Sequence, residues 1–313
     1  MKVGITGGAG YIGSTLVKRL TEMNHDIVSI DNERIGSYEY LIKEETEYTQ
    51  LITGDIRNLK LLEKSWEGCD AVAHLAALPG LVLCKNNPEE AVSVNIFGTY
   101  NVLLAARKLG INRVVFCSSA AVYGEPSKLP VTEDHELNPL NLYGVTKLAG
   151  EKIMKTFHLN ENIDTVNLRF GNIYGVGLYT RWDTVIPKFV KQALNGEPLT
   201  IYGDGEASRD FVHVEDITNA IILGVTTKNV GGEDFNVGGE TLTINQIAKI
   251  VEREVEKKVG INVKTKNTMP REGETKEFSY DLSHISDKLG FNNKWNVEEG
   301  IRQLIKYWIE TEQ

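Results

Sequence analysis

Short apolar runs and longer runs of helical period alternate through the first half of the chain. Val3 and Ile5 mark a buried strand, and Ile12, Leu16, Val17 and Leu20 follow at the spacing of one helix face. Residues 27–30, 51–56, 70–77 and 113–117 read as four further strands, and Pro88 starts a long helix through Ala91, Val94, Gly98, Leu103 and Leu104. Strands without polar alternation, separated by helices, predict a parallel sheet covered on both faces. Residues 34–50 are polar and read as a loop or a short helix. After a sixth strand at 165–170 the alternation becomes irregular. A helix is predicted over 184–195, extended chain over 199–202 and 277–280, and an amphipathic closing helix through Val297, Ile301, Leu304, Ile305 and Trp308. The pattern is that of an α/β first half followed by a smaller α+β part.

The first strand and helix are joined by Gly7-Gly8-Ala9-Gly10-Tyr11-Ile12-Gly13. In this spacing Gly7 permits a tight turn, Gly10 lets a phosphate approach the backbone, and Gly13 lets the helix pack close to the strand. The N–H groups at the helix start then face a pyrophosphate. Asp31 closes the next apolar run at the ~20-residue distance of a ribose-binding carboxylate, which favours NAD over NADP. The expected architecture is a Rossmann-type doubly wound parallel sheet. Asp55, at the end of the third strand, can accept from an adenine amino group or cap the helix that begins near Asn58.

A length of 313 residues suggests two domains at ~150 residues each. The net charge of −9 argues against nucleic acid as a partner. Cys69, Cys84 and Cys117 have no metal-ligand spacing and suit a reducing cytoplasm. No signal-like segment precedes the first strand and no apolar run approaches the ~18 residues of a membrane helix. The expectation is a cytoplasmic protein without metal or membrane.

Ligands of open parallel sheets sit at the strand ends. There the chain carries the small residues Ala76 and Ala77, then Ser118 and Ser119. His74, inside a buried strand, reads as a core residue rather than a catalyst. Asn95 faces the sheet, holding backbone near a cofactor or satisfying a buried loop. Tyr143 and Lys147 share a helix face at i, i+4, and a neighbouring ammonium lowers a phenol's pKa toward that of a general base. Arg209 and Arg271 offer forks for a diphosphate, or form structural ion pairs.

These residues resemble the extended short-chain dehydrogenase/reductase family, in its nucleotide-sugar epimerase/dehydratase branch, over nearly the whole chain. The likeness is carried by the Thr6 to Gly13 loop, Asp31-Asn32, Gly54-Asp55-Ile56, His74-Leu75-Ala76-Ala77, Asn95, Ser118 to Gly124, Tyr143/Lys147, Asn172-Ile173-Tyr174-Gly175, Arg209 to Val214, and Arg271. It implies NAD, held by Gly7, Gly10, Tyr11, Ile12, Asp31, Asn32, Asp55, Ile56, Leu75, Ala76, Ala77, Asn95, Tyr143 and Lys147. It implies a nucleotide-sugar, most readily a UDP-sugar, held by Ser119, Tyr143, Asn172, Thr200, Tyr202, Arg209, Arg271 and Phe278. Ser119, Tyr143 and Lys147 fall on the catalytic positions. The activity implied is 4-epimerisation, interconverting UDP-glucose and UDP-galactose through a 4-keto sugar. The helices near 88–109 and 140–158 match a pair that forms homodimers. Residues 1–170 would form the NAD domain, with parts of 206–230 returning to it, and 171–313 the nucleotide-sugar domain.

Two departures stand out. Pro79 replaces a cofactor-contacting lysine, and Ala121 replaces a threonine that meets the sugar. Similar dehydratases carry an Asp-Glu pair before Val-Tyr-Gly and similar decarboxylases a Glu, where this chain has Ala120-Ala121. A lyase remains the alternative, with an epimerase of an N-acetylhexosamine or uronate. A non-catalytic NAD sensor is a third reading, opposed by the retained Ser119, Tyr143 and Lys147.

Overall fold

A computed structural model of the chain describes residues 1–41, 49–270 and 276–311. The first half repeats strand and helix: β1 (Lys2–Thr6), α1 (Tyr11–Glu22), β2 (Asp26–Asp31), β3 (Thr49–Thr53), α2 (Leu59–Ser65) and β4 (Ala71–His74). Then come α3 (Leu81–Asn86), α4 (Pro88–Val92) and α5 (Thr99–Leu109), the last two joined by a π-helical turn, Ser93–Gly98. β5 (Arg113–Ser119), α6 (Leu142–Glu161) and β6 (Asp164–Phe170) complete this half. The second half runs β7 (Asn172–Tyr174), α7 (Val185–Leu194), β8 (Leu199–Tyr202), β9 (Ser208–His213), α8 (Val214–Thr226), β10 (Asp234–Val237) and β11 (Glu240–Thr243). It ends with α9 (Ile244–Val259), β12 (Thr265–Thr268), α10 (Ser283–Leu289) and α11 (Val297–Thr311). Among the described residues no helix is long and apolar enough to cross a membrane.

The large sheet has seven strands in the order β10-β6-β5-β4-β1-β2-β3, all parallel. Its inner strands β1, β4 and β5 are mostly buried along their length because both faces are covered. Val115 and Cys117 point into the layer that holds Leu16 and Leu20 of α1 and Ile217 and Ile221 of α8. Val114 and Phe116, one residue out of phase, point into the layer of Val102, Leu103, Met154 and Phe157. The strand order reverses between β1 and β4, which opens a crevice at their carboxyl ends. The smaller lobe has a three-stranded sheet, β11-β9-β7, and a two-stranded one, β12-β8. Its core gathers Phe189 and Val190 of α7, Ile247 and Val251 of α9, and Ile301 and Leu304 of α11. The chain recrosses to the large sheet through α8, which packs on α1, and β10, which pairs with β6.

Three local expectations change. The segment 277–280 forms no strand: Tyr280 pairs with Val131 as a single bridge, through Val131 N to Ser279 O and Asp281 N to Val131 O. The helix near Asn58 is capped by Asn58 itself, whose Oδ1 accepts from Leu61 N at 3.2 Å, so Asp55 is free of that duty. Of the polar stretch 34–50, residues 42–48 lie outside the described residues, and Tyr38–Tyr40 form a short 3-10 turn.

Candidate active site

A cavity of about 980 Å³ follows the carboxyl ends of the large sheet. Its cofactor end is the turn after β1. Gly7 has φ +77°, and a Cβ there would lie 2.8 Å from Ala76 N. A Cβ on Gly13 would lie 2.0 Å from Gly7 O, so the helix approaches the turn as closely as backbone allows. The α1 N-terminus has no side-chain cap and no acidic residue in its first turn. Its free N–H groups leave room for a pyrophosphate. Asp31 stands across the crevice with Oδ2 accepting from Ala9 N at 3.0 Å and Oδ1 from Glu33 N at 2.7 Å. Burial raises its carboxyl above the usual range, and those two bonds oppose the rise. A backbone cradle, an uncapped helix start and a fixed carboxylate fit NAD.

Gly10, Tyr11, Ile12, Asn32, Asp55 and Ile56 line this end, as do Leu75, Ala76 and Ala77. Asp55 is clamped by Arg57, at 2.9 Å from Nε and 2.6 Å from Nη2, and this holds its carboxyl below the usual range. Asn95 is not in the wall. Its Oδ1 accepts from Leu78 N at 2.7 Å, and its Nδ2 donates to Leu78 O at 3.2 Å and Thr146 Oγ1 at 3.0 Å. The expected cofactor contact is therefore corrected to a support behind the loop. His74 is fully buried between Thr6 and Thr99, at 2.7 and 2.9 Å, and burial pushes it down to about 3, which keeps it neutral.

The two ends of the cavity meet at Ser119, Tyr143 and Lys147. Asn141 caps α6 by accepting from Gly144 N, which sets Tyr143 in the first turn. The Ser119 hydroxyl, which accepts from Ala121 N at 3.2 Å, lines the cavity with the Tyr143 phenol and favours its phenolate. Ser118 turns the other way and donates to Glu151 Oε1 at 2.5 Å. Lys147 Nζ donates to Cys117 O at 2.7 Å and lies 5.8 Å from the Tyr143 ring centre. The expected lowering of the phenol by Lys147 is not what the geometry gives. Burial pushes Tyr143 up to about 12, opposed mainly by the Ser119 hydroxyl, while burial draws Lys147 itself down to about 8. Desolvation outweighs the neighbouring charge.

At the far end Asn172, Arg209 and Phe278 line the cavity. Arg209 Nη1 donates to Ser208 O at 2.7 Å. Phe278 is 5% exposed, edge-on to Tyr280 at 4.9 Å, so it is both a core ring and part of the wall. Thr200 and Tyr202 do not line the cavity, contrary to expectation. Gln192 holds Thr200 by two bonds, and Lys188 lies over the Tyr202 ring at 5.4 Å. Arg271 lies outside the described residues. Arg181 is a wall residue that the sequence did not single out. It is forked onto Asp183 at 3.2 and 2.6 Å, and its charge favours the Tyr143 phenolate. Its only sequence signal is an arginine in the polar turn after β7.

A model of the NAD dependent epimerase/dehydratase family matches residues 3–238. Three solved structures are similar over the whole fold. A UDP-glucose 4-epimerase from Thermotoga maritima, with UDP-glucose, is 27% identical, covers 100% of both chains and has a TM-score of 0.91. A UDP-N-acetylglucosamine 4-epimerase from Methanobrevibacter ruminantium, in complex with UDP-N-acetylmuramic acid, is 34% identical over 99% of this chain and 98% of its own, with a TM-score of 0.90. A UDP-glucuronic acid 4-epimerase from Bacillus cereus, with UDP-glucuronic acid and NAD, is 32% identical over 99% of each chain, with a TM-score of 0.89. The chain belongs to the NAD-dependent epimerase/dehydratase family and is an NAD-using isomerase.

Proposed function

We propose that this protein is a UDP-sugar 4-epimerase that interconverts UDP-glucose and UDP-galactose. The observation that carries this reading is the convergence of Ser119, Tyr143 and Lys147 on one cavity, with Ala120 and Ala121 as the adjoining wall. NAD, when bound, accepts and returns the hydride of sugar C4. Tyr143 takes the proton from the C4 hydroxyl and gives it back, and Ser119 holds that hydroxyl toward the phenol. Lys147 supplies positive charge behind Tyr143 and a donor for the ribose. Arg209 and Asn172 anchor the diphosphate, so the 4-keto sugar can turn over without leaving.

Elimination or decarboxylation needs a second proton carrier over the sugar, and alanines cannot move protons. The nearby carboxylate of Asp183 is engaged by Arg181. The bulk of Phe278 favours a plain hexose over an N-acetylated one. We further propose a cytoplasmic homodimer through α5, its π-turn and α6, where Phe97 (51%) and Tyr100 (41%) stand exposed, as does Val145. Light scattering of the purified protein tests the dimer; a monomeric mass would refute it.

The decisive experiment incubates purified protein and NAD with UDP-glucose, UDP-N-acetylglucosamine or UDP-glucuronic acid. UDP-galactose from the first is the expected product. A persistent 4-keto sugar or released carbon dioxide would make the protein a lyase, and no conversion would make it a binding protein. Tyr143→Phe should keep the fold and NAD yet lose at least ~10²-fold in kcat.

A further inference from the structure

The helix that carries Tyr143 and Lys147 holds a third polar residue at the same interval. Tyr143, Lys147 and Glu151 stand at i, i+4 and i+8 of α6, stacked along one face. Glu151 is 3% exposed, and a carboxylate so buried needs a partner. That partner is Arg169 of β6, 1% exposed, which donates from Nε and Nη2 to Glu151 Oε1 and Oε2 at 3.0 and 2.8 Å. The same guanidinium reaches Asp234 at 2.9 Å, the Tyr123 hydroxyl at 2.8 Å and Glu133 O at 2.9 Å. The Tyr123 hydroxyl in turn donates to Asn236 Oδ1 at 2.6 Å. Glu151 Oε1 also accepts from Ser118. One buried network thus ties α6 to the end of β5, to β6 and to β10.

We propose that Glu151 is a positioning residue for the reaction. Its carboxylate, fixed by Arg169, holds the Ser118 hydroxyl and with it the end of β5 that presents Ser119 to Tyr143, and it is the counter-charge that keeps Lys147 an ammonium. The inference rests on Tyr143 and Lys147 being the proton-handling pair. Lys147 faces Phe116 and Cys117 from β5, His74 from β4, Cys84 from α3, and Tyr143 and Glu151 from its own helix. Burial pushes the Cys117 thiol up to about 12, raises Cys84, and pushes His74 down to about 3. All three are uncharged near neutrality. Among these groups Glu151 is the carboxylate. Burial draws Lys147 down to about 8, opposed by Cys117, Cys84 and Glu151 in that order, and with both thiols protonated near neutrality Glu151 is the one of the three that carries charge there.

The test uses the NAD-loaded enzyme with Glu151→Gln. Lys147 is followed by NMR of lysine-13Cε-labelled protein, its signal assigned with Lys147→Met. Turnover is measured over the same pH range. The Lys147 midpoint and the alkaline limb of kcat should both move to lower pH by roughly one unit, with KM held within about twofold. Because Gln would leave Arg169 facing one fewer charge, Glu151→Gln/Arg169→Met supplies a variant with neither charge buried, and a smaller shift in the same direction is expected there, since the lost guanidinium offsets part of the lost carboxylate. Ser118→Ala keeps both charges. It should lower kcat by roughly tenfold without moving the limb. An unmoved Lys147 midpoint in a folded Glu151 variant overturns the counter-charge, and wild-type kcat in Ser118→Ala overturns the positioning. A fall in kcat with an unmoved limb and a raised KM in Glu151→Gln would make the network merely structural. The Lys147 midpoint is read without turnover, so it decides on Glu151 even if Tyr143→Phe proves active and removes the underlying assignment.

Discussion

At the cofactor end of the cavity the phosphate-facing turn after β1 is backbone. Gly7 and Gly13 leave no space for a β-carbon, and the ligand meets N–H groups fixed by a strand and a helix. At the sugar end the wall is side chains from five separate segments: Ser119 at the end of β5, Tyr143 on α6, Arg181 in the turn after β7, Arg209 on β9, and Phe278. A backbone wall tolerates almost no substitution and fits one ligand. A side-chain wall can change one residue at a time with the scaffold intact, so substrate choice can diverge while cofactor choice stays fixed. The three similar epimerases, named for three different UDP-sugars, agree with that division.

The sharpest attack on this contrast is Gly13→Ala. The added methyl would sit 2.0 Å from Gly7 O, with no flexible side chain to give way. Loss of bound NAD and about 3 kcal/mol or more of stability is expected, read from NAD content and melting temperature. A stable, NAD-replete variant would end the distinction. Arg209→Ala should instead leave fold and NAD untouched. It should weaken UDP binding by ~2 kcal/mol, about 30-fold by calorimetry. Equal binding would return Arg209 to the role of a surface residue.

Acid should strain both lobes through buried histidines. His213, stacked on Trp295 at 4.1 Å and bonded to Gln303 at 2.9 Å, is pushed down to about 4 by burial. The unfolded chain protonates first, near the ordinary pH of ~6.5, so stability is complete above that pH and drains away toward the folded value. Between pH 6.5 and 5 the share of His213 is on the order of 2 kcal/mol. Denaturant titrations at the two pH values check it, and His213→Gln should flatten that part of the difference. The smallest effect is at Phe278. Phe278→Ser should narrow the preference for UDP-glucose over UDP-N-acetylglucosamine by roughly tenfold. Equal wild-type rates on the two sugars would show that this ring sets no limit.

What could be read from the chain followed the same division. The glycine turn, Asp31 at a strand end and the Tyr143/Lys147 interval are local patterns, because strand, turn and helix periods fix their geometry. Tertiary placement was not local. Thr200 and Tyr202 lie on a strand, but nothing in a strand says which neighbour it meets, and Gln192 and Lys188 meet them. Arg181 reaches the cavity only because the chain bends back after Gly175, whose φ is +112°. The charge balance at Tyr143 was misread for a similar reason. Spacing gives the distance to Lys147, but desolvation depends on everything packed around both groups.

The large sheet becomes complete only when β10, Asp234–Val237, lies beside β6. On a ribosome, the edge of β6 must therefore wait for more than sixty further residues, α8 among them. An emerging chain that stops near Phe170 would present an unpaired apolar strand edge, a template for pairing with another copy. The cofactor half is therefore not a detachable module. Expression of residues 1–170 alone should yield aggregate, and vectorial synthesis of the full chain should delay NAD binding until α8 and β10 have emerged.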